Sequence, residues 1–163
     1  MKMNTGTQPG STRNPNIAVD EMLSADLAEV IALGESIPEF RTETEAAQFY
    51  SRETLERWLT EPTGVALVSR DGGVVVAFVL AQYMPASRDG YLNVITVAES
   101  LRGKGGLAEG LLERAFQILE RKGCDHVFGS VQDSNERALR FFEKRGLQRG
   151  DTFRYVEAML QRE

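Results

Sequence analysis

The sequence has very few of the residues from which metal sites and nucleophilic triads are usually built. Its 163 residues include one cysteine, Cys124, and one histidine, His126. A single cysteine excludes an internal disulfide and a zinc site made of several cysteines. A single histidine argues against a histidine-based zinc site and against a Ser-His-Asp triad. We therefore interpret both residues as packing or surface positions and predict no metal cofactor.

Long apolar runs and a positive charge balance are also missing. The longest uninterrupted apolar run, residues 74–81, is far too short to span a bilayer. The N-terminal 16 residues lack the apolar core of a signal peptide. The formal net charge is −5, which argues against nucleic acid or an anionic membrane as the main partner. We therefore expect a cytoplasmic protein with no nucleic-acid partner and no membrane partner.

The chain divides by composition into a short tail and one domain. Residues 1–16 are rich in Gly, Thr, Asn and Pro and have almost no apolar content, so we predict a flexible tail. Residues 17–163 have the length of a single domain. With 42% hydrophobic residues in the whole chain, that domain can bury a sizeable core.

Hydrophobic periodicity predicts alternating strands and helices with one central sheet. The Asp71-Gly72-Gly73 sequence is a strong hairpin signal between two of the strands. Ser24 and Asp133 are predicted to cap the first and last helices. The strands are predicted over residues 16–22, 65–69, 74–83, 91–97, 126–131 and 152–160. The helices are predicted over residues 24–33, 51–59, 107–122 and 133–144.

A basic, glycine-rich turn lies between the predicted strand 91–97 and the long helix that follows it. The first N–H groups of a helix lack partners and carry partial positive charge, and glycines allow an anion to approach the backbone. The pattern therefore predicts a phosphate or pyrophosphate site. Its spacing matches neither the nucleotide P-loop nor the dinucleotide fingerprint. The residues of this turn are Arg102, Gly103, Lys104, Gly105, Gly106, Leu107 and Ala108.

Two segments together resemble the GNAT superfamily of acetyl-CoA-dependent N-acyltransferases. Residues 97–112, which contain the glycine turn, resemble the family's motif A, and residues 135–147 resemble its motif B. The resemblance extends over about residues 17–160. It implies an α/β (α+β) fold with a central mixed, mostly antiparallel sheet and helices on both faces. This sequence departs from the family in one extra residue after Arg102, in Glu99 where proline is usual, and in Phe142 where tyrosine is usual.

The resemblance also implies how acetyl-CoA, as cosubstrate, would be held. Backbone N–H groups of residues 102–108 would bind the pyrophosphate, and Ile95, Thr96 and Val97 would contact the pantetheine arm. The Val97 N–H would donate to the thioester oxygen. Asn135 would face the coenzyme, although asparagine is also favoured at any helix N-terminus. Phe142 would pack beside it.

The general acid and the general base stay open at this point. Phe142 cannot donate a proton to the departing thiolate, and Tyr83, Tyr91 and Tyr155 are alternatives that the sequence does not rank. The predicted strand 91–97 carries no carboxylate. Glu99 follows it, and we interpret Glu99 as a solvated loop residue.

The predicted acceptor is a primary amine, on a small molecule, a protein N-terminus or a lysine. In the family that the chain resembles, the region between the first two helices lines the acceptor groove. Glu35, Glu39 and Glu43 lie there and would attract a cationic amine, although an ordinary solvated helical face explains them equally well. An acyl-CoA sensor with little turnover is the alternative function. Homodimers are common in the family, but the sequence identifies no interface.

Overall fold

The computed structural model describes residues 17–40, 49–158 and 160. The chain forms two compact units, Met1–Ser130 and Val131–Glu163. The predicted tail 1–16 lies outside the described residues, and the single-domain organisation stays a prediction. No helix in the described part has the length and apolar character needed to cross a membrane.

The first unit contains one five-stranded sheet and three α-helices within its described residues. The sheet order is β1-β2-β3-β4-β5; the first three pairings are antiparallel and β4–β5 is parallel. The strands are β1 (Val19–Glu21), β2 (Gly64–Asp71), β3 (Val74–Met84), β4 (Asp89–Val97) and β5 (His126–Gly129). The helices are α1 (Leu27–Glu35), α2 (Arg52–Thr60) and α3 (Leu107–Lys122). The predicted central strands and long helix are thereby confirmed.

The predicted hairpin connects β2 and β3 through a two-residue loop. Asp71 pairs with Val74, and the loop residues Gly72 and Gly73 have φ of 57° and 85°. Two consecutive residues with positive φ characterise the turn whose twist matches that of the flanking strands. Glycine is favoured at both positions because it reaches this conformation without a steric penalty.

Helices cover both faces of the sheet, as predicted. On one face, Leu27 and Val30 of α1 and Leu55 of α2 form a buried cluster with Val68 and Phe78. Neighbouring residues of a strand point to opposite faces, so Ser69, next to Val68, and its partner Val19 point to the other face. There a Cβ added at Gly110 of α3 would lie 3.5 Å from Val19 Cγ2. The buried residues of α3 are Leu107, Leu111, Leu112, Ala115 and Leu119.

The predicted cap of the first helix is wrong. Residues Ser24–Asp26 form a short 3₁₀ turn before α1. The main-chain N–H that needs an acceptor before this turn, that of Leu23, is bound by the Asp26 carboxylate and not by the Ser24 hydroxyl. The Asp26 Oδ2 accepts it at 2.7 Å. The same carboxylate accepts hydrogen bonds from Arg70. A buried carboxylate that accepts three charge-assisted hydrogen bonds binds this N–H more strongly than an exposed hydroxyl would.

The second unit contains α4 (Glu136–Glu143). Its N-cap is Asn135, whose Oδ1 accepts the Ala138 N–H at 3.2 Å, so the predicted capping box from Asp133 is wrong. The predicted last strand is also wrong over the described residues 151–158 and 160, none of which is in a strand. Its apolar side chains, including Phe153 and Val156, are 85% and 86% exposed. Apolar residues favour a strand only where a neighbouring strand pairs with them.

Candidate active site

Strands β4 and β5, the last two strands in the sheet order, part about halfway along β4. They pair over four positions, from Asp89↔His126 to Leu92↔Gly129. The remainder of β4, through Val97, stays paired with β3 on its other side. The β4 edge that faces away from β3 is therefore free of strand pairing beyond Leu92 within the described residues.

The free edge of β4 presents the main-chain groups of Ile95 and Val97. The Ala98 N–H donates to the Val76 carbonyl of β3 at 2.8 Å. Because main-chain groups alternate in direction along an antiparallel strand, Thr96 also bonds toward β3, while Ile95 and Val97 point outward. Of the three residues predicted to contact the pantetheine arm, Ile95 offers its N–H and C=O groups to a ligand and Val97 offers its N–H. The Val97 carbonyl accepts from Arg102 Nε, and Thr96 is engaged in the sheet.

The turn after β4 uses three glycines in the left-handed region. Gly103, Gly105 and Gly106 have φ of 72°, 68° and 64°. The Lys104 N–H donates to the Leu101 carbonyl at 3.1 Å and closes the first part of the turn. Glycine is favoured at all three positions because it has no Cβ to strain this conformation.

Helix α3 begins directly at the last glycine of this turn. Its first main-chain bond runs from the Gly110 N–H to the Gly106 carbonyl at 3.0 Å, and Gly106 offers no side-chain cap. The N–H groups of Leu107 and Ala108, in the first turn, therefore have no acceptor within the helix. Together with the positive end of a 16-residue helix, they form a site suited to a phosphate group.

The two cations of the turn bind carbonyl groups of the protein. The Arg102 Nε–H donates to the Val97 carbonyl at 3.2 Å. The Lys104 ammonium, which is exposed, donates to the Ser100 carbonyl at 3.1 Å. Arg102 therefore fastens the turn to the end of β4, and both cations still contribute positive charge near the α3 N-terminus.

Asn135 and Phe142 lie in the second unit. The Asn135 Oδ1 is used as the cap of α4, which leaves its amide N–H groups as donors. Phe142 is partly buried, and its ring contacts that of Phe141 with a centroid distance of 5.2 Å. Their predicted contacts with the coenzyme stay predictions.

The structure separates the tyrosines that the sequence left unranked. Tyr83 lies near the end of α3, where a Cβ at Gly123 would be 3.3 Å from its hydroxyl. Tyr155 is 68% exposed and bonds to Glu157. Tyr91 lies where β4 and β5 still pair, and its hydroxyl is 3.2 Å from Ser130 Oγ. Of Tyr83 and Tyr91, both in the first unit, only Tyr91 adjoins the point where the strands part.

Sequence reasoning missed two residues beside this point, Asn93 and Tyr50. Burial raises the pKa of the Tyr50 phenol, and a hydrogen bond with the Asn93 side chain opposes that rise without cancelling it. Asn93 interrupts an otherwise apolar and β-branched run between Leu92 and Val97. Asparagine is depleted in strands, so this interruption was a signal that the sequence already carried.

The strand carries a carboxylate that the sequence prediction did not include. Strand β4 begins at Asp89 rather than Tyr91, and the Asp89 carboxylate is 2.8 Å from His126 Nδ1. Cys124, nearby in the chain, donates its thiol hydrogen to the His126 carbonyl at 3.1 Å. Burial raises the pKa of this thiol, which makes Cys124 a poor nucleophile.

The predicted acceptor-binding carboxylates are only partly described. Glu35 is exposed at the end of α1, and Glu39 is partly buried in the 3₁₀ turn Pro38–Phe40. Glu43 lies outside the described residues. No group of three metal-ligating side chains occurs in the described ranges.

Comparison with known families identifies the fold and the family. The model of the acetyltransferase (GNAT) family matches residues 32–147. This is more than half of the chain, and the chain therefore belongs to the GNAT acetyltransferase family. Comparison with curated protein sequences gives no match.

Solved structures of low sequence identity share the fold. An aminoglycoside acetyltransferase, meta-AAC0020, from an uncultured soil metagenomic sample has a TM-score of 0.73 at 15% identity over 91% of this chain and 99% of its own. A bisubstrate-analogue complex of the acetyltransferase AAC(6')-Iy has a TM-score of 0.72 at 16% identity over 88% and 99%. A transcriptional regulator from Bacillus halodurans C-125 has a TM-score of 0.74 at 13% identity over 87% and 99%. At these identities the likeness concerns the fold alone.

Proposed function

We propose that this GNAT acetyltransferase transfers the acetyl group of acetyl-CoA to a primary amine by direct attack on the thioester. The observation that carries the proposal is the free edge of β4, which leads into three left-handed glycines and the uncapped start of α3. An extended chain ending in a pyrophosphate needs unpaired main-chain groups along its length and N–H donors at its charged end. This part of the chain offers both.

The coenzyme would be held by main-chain groups. The N–H groups between Gly105 and Ala108 bind the pyrophosphate, and those of Ile95 and Val97 follow the pantetheine arm along β4. The acetyl thioester supplies an electrophilic carbonyl. The Val97 N–H, which points away from β3, donates to the carbonyl oxygen as negative charge develops there. One preorganised donor of this kind lowers the barrier by roughly 2.7–4 kcal/mol.

The transfer itself forms one bond and breaks one bond. The amine nitrogen binds the acetyl carbon, the carbon–sulfur bond breaks, and the departing sulfur takes up a proton as the nitrogen loses one. A thiol with a pKa of about 8.5 leaves readily as a thiolate, so a side-chain acid is helpful without being essential. Holding both reactants in line contributes about 7–11 kcal/mol more.

A small cationic amine is the favoured class of acceptor. Glu35 at the end of α1 and Glu39 in the turn that follows it place negative charge there, Glu43 follows in sequence, and such charge attracts polyamines. Two structures with the same fold are of aminoglycoside acetyltransferases. Replacing Glu39 and Glu43 by glutamine is expected to raise the KM for a cationic amine. An unchanged KM would place the acceptor elsewhere.

An acyl-CoA sensor is the second candidate. Phe142, in the position where the family usually has tyrosine, lacks a hydroxyl, and one structure with this fold is of a transcriptional regulator. A sensor needs the coenzyme site but no acceptor. The two candidates therefore differ in turnover and agree in coenzyme binding.

The deciding experiment combines calorimetric titration with a thiol-release assay. Acetyl-CoA and free CoA are titrated into the full chain, and CoA release is then followed with a panel of primary amines, polyamines and aminoglycosides, sisomicin among them. Micromolar binding with amine-dependent release supports the transferase. Binding without release on every amine favours the sensor. No binding of either ligand overturns both candidates.

A further inference from the structure

A β-bulge places Asn93 at the point where β4 leaves β5. On β3, Leu80 pairs with Val94 and its neighbour Ala81 pairs with Leu92, so Asn93 is an extra residue on β4. Leu92 is also the last β4 residue that pairs with β5. Bulges re-aim a side chain and end strand pairing. Asn93 is therefore the first β4 residue beyond the pairing with β5.

The side chain of Asn93 contains a polar atom without a partner. Its Oδ1 is buried and accepts no hydrogen bond from the residues that the structure describes. A buried carbonyl oxygen left unpaired destabilises the folded state. Such an atom in a native structure calls for an explanation, and a donor supplied by a ligand is one.

Neighbouring groups hold the amide without satisfying this oxygen. Tyr50 contacts Asn93 through its phenol, and its ring packs against Trp58 of α2 with a centroid distance of 5.4 Å. A tyrosine phenol with the ordinary pKa of about 10 is neutral near pH 7, and burial raises the pKa of Tyr50 further. Tyr91, on the same strand, is occupied with Ser130. Asn93 Oδ1 thus remains a buried acceptor without a partner among the described residues, and neither Asn93 nor Tyr50 carries a charge.

We propose that Asn93 Oδ1 accepts an N–H of the acceptor amine and orients its lone pair for attack. The inference rests on the proposed acetyl transfer. A primary amine has two N–H groups and one lone pair, so binding one N–H at Asn93 leaves the lone pair directed elsewhere. The outward edge of β4 continues at Ile95, about 7 Å farther along the strand. That is the edge along which the thioester is held.

The amide is positioned to reach a ligand. Asn93 as a residue is only partly buried, so it belongs to the wall of the site and not to the core. Rotation about the terminal torsion of an asparagine side chain is soft. The proposed contact requires such a rotation, because Oδ1 is buried in this structure.

The test compares Asn93→Leu with Asn93→Asp and with Gln82→Leu as a matched control. Leucine removes the acceptor at similar size, aspartate keeps an acceptor oxygen, and Gln82 is an exposed amide on β3. The amine is the one with the highest turnover in the panel above, with sisomicin tested first. Its KM and kcat, the calorimetric Kd for acetyl-CoA and the melting temperature are measured for each variant.

Loss of one hydrogen bond is expected to raise the amine KM of Asn93→Leu up to about tenfold. The acetyl-CoA Kd stays at the wild-type value, and the melting temperature changes little, because the variant removes an unpaired buried oxygen as well as the hydrogen bond with Tyr50. Asn93→Asp and Gln82→Leu retain the wild-type KM. This combination separates amine binding from a structural role.

Three outcomes overturn the inference. An unchanged amine KM in Asn93→Leu refutes it while leaving acetyl transfer intact. A weakened acetyl-CoA Kd in that variant assigns Asn93 to the coenzyme instead. If Asn93→Leu does not fold, Asn93→Ala replaces it, and an unchanged KM there has the same meaning. A wild-type protein that binds no acetyl-CoA refutes the proposed function itself, which is a distinguishable result.

Discussion

The guanidinium of Arg102 is hydrogen-bonded through Nε to the carbonyl oxygen of Val97 at 3.2 Å. This contact joins the glycine turn to the end of β4, five residues earlier in the chain. The two parts of the proposed coenzyme site, the free strand edge and the phosphate turn, are thereby held in a fixed relation. Arg102 thus acts as a brace in addition to contributing charge.

Replacing Arg102 by alanine is expected to raise the Kd for acetyl-CoA about tenfold. A hydrogen bond to a charged group contributes about 1.5–3 kcal/mol, and the turn loses its anchor without it. Because the anchor is partly buried, the effect persists at high salt, where exposed charges are screened. Calorimetry at low and high salt measures both quantities.

The control for this test is Lys104→Ala. Lys104 is exposed and bonds only to the Ser100 carbonyl among the contacts described. We expect a smaller loss of affinity that shrinks further as salt is added. Equal losses in the two variants would refute the bracing role of Arg102.

Gly106→Ala is expected to abolish most acetyl-CoA affinity with a modest loss of stability. Gly106 has φ of 64° at the start of α3, where a Cβ strains the backbone and would meet the proposed phosphate. The strain costs about 1–2 kcal/mol. Gly72→Ala is the matched control, because Gly72 has φ of 57° in the β2–β3 hairpin and open space around it.

Both glycine variants are compared by urea unfolding and by acetyl-CoA titration. Similar losses of unfolding free energy, with lost affinity only in Gly106→Ala, support the phosphate site. Retained affinity in Gly106→Ala would move the coenzyme to another part of the chain.

Stability at low pH is expected to depend on Asp26. Burial acts to raise the pKa of its carboxyl, but hydrogen bonds from Arg70 and from the Leu23 N–H outweigh burial, so the net pKa is lowered. The folded pKa thus lies below the unfolded value of about 3.9. The stabilisation is complete above that pH and is lost as the pH falls through the folded pKa.

Asp26→Asn is expected to reduce the free energy of unfolding at pH 7 by about 1.5–3 kcal/mol. It also removes part of the acid sensitivity below about pH 4. Asp20→Asn is the control: Asp20 lies 3.1 Å from the same Arg70 but is 55% exposed, and such surface pairs contribute about 0–1 kcal/mol. Urea unfolding between pH 7 and pH 3 measures the difference. An Asp26→Asn curve parallel to that of the wild type would contradict the assignment.

Phe142→Tyr is expected to raise kcat for amine acetylation. A general acid contributes typically about 10²–10⁴-fold, and any gain here depends on how well the new hydroxyl reaches the departing sulfur. Phe141→Tyr is the control, because the Phe141 ring stacks beneath the Arg145 guanidinium at 4.4 Å. Steady-state thiol release compares the two variants. A kcat that is unchanged in both would remove Phe142 from the neighbourhood of the leaving group.

Local patterns were sufficient to predict much of the fold. Residues Val74–Met84 form a strand because they make a long, mostly apolar run that begins directly after the Gly72–Gly73 turn. Helix α3 matches its predicted bounds because apolar periodicity and Gly123 both mark them. These features depend on residues close together in the chain, which is why a single sequence reveals them.

The wrong predictions concern which of several residues makes a hydrogen bond or a strand pairing, and distant residues often decide that choice. Asp133 fits the pattern of a capping residue, but Asn135 caps α4 instead. Asp26, and not Ser24, accepts the Leu23 N–H before α1, because Arg70, far away in the chain, binds the same carboxylate and fixes its position. The apolar alternation of residues 152–160 predicted a strand, and the described residues there form none.

The sequence by itself determined the glycine turn, the helix that follows it and, through the two motifs, the family of the chain. Tertiary structure decided which main-chain groups the site offers, because the bulge at Asn93 and the parting of β4 from β5 depend on pairing between strands. It also decided that Arg102 binds the Val97 carbonyl and that Tyr50 meets Asn93. Tyr50 and Asn93 are far apart in the chain and meet only when the domain packs, and Arg102 and Val97, although five residues apart, meet only because the glycine turn folds back on the end of β4.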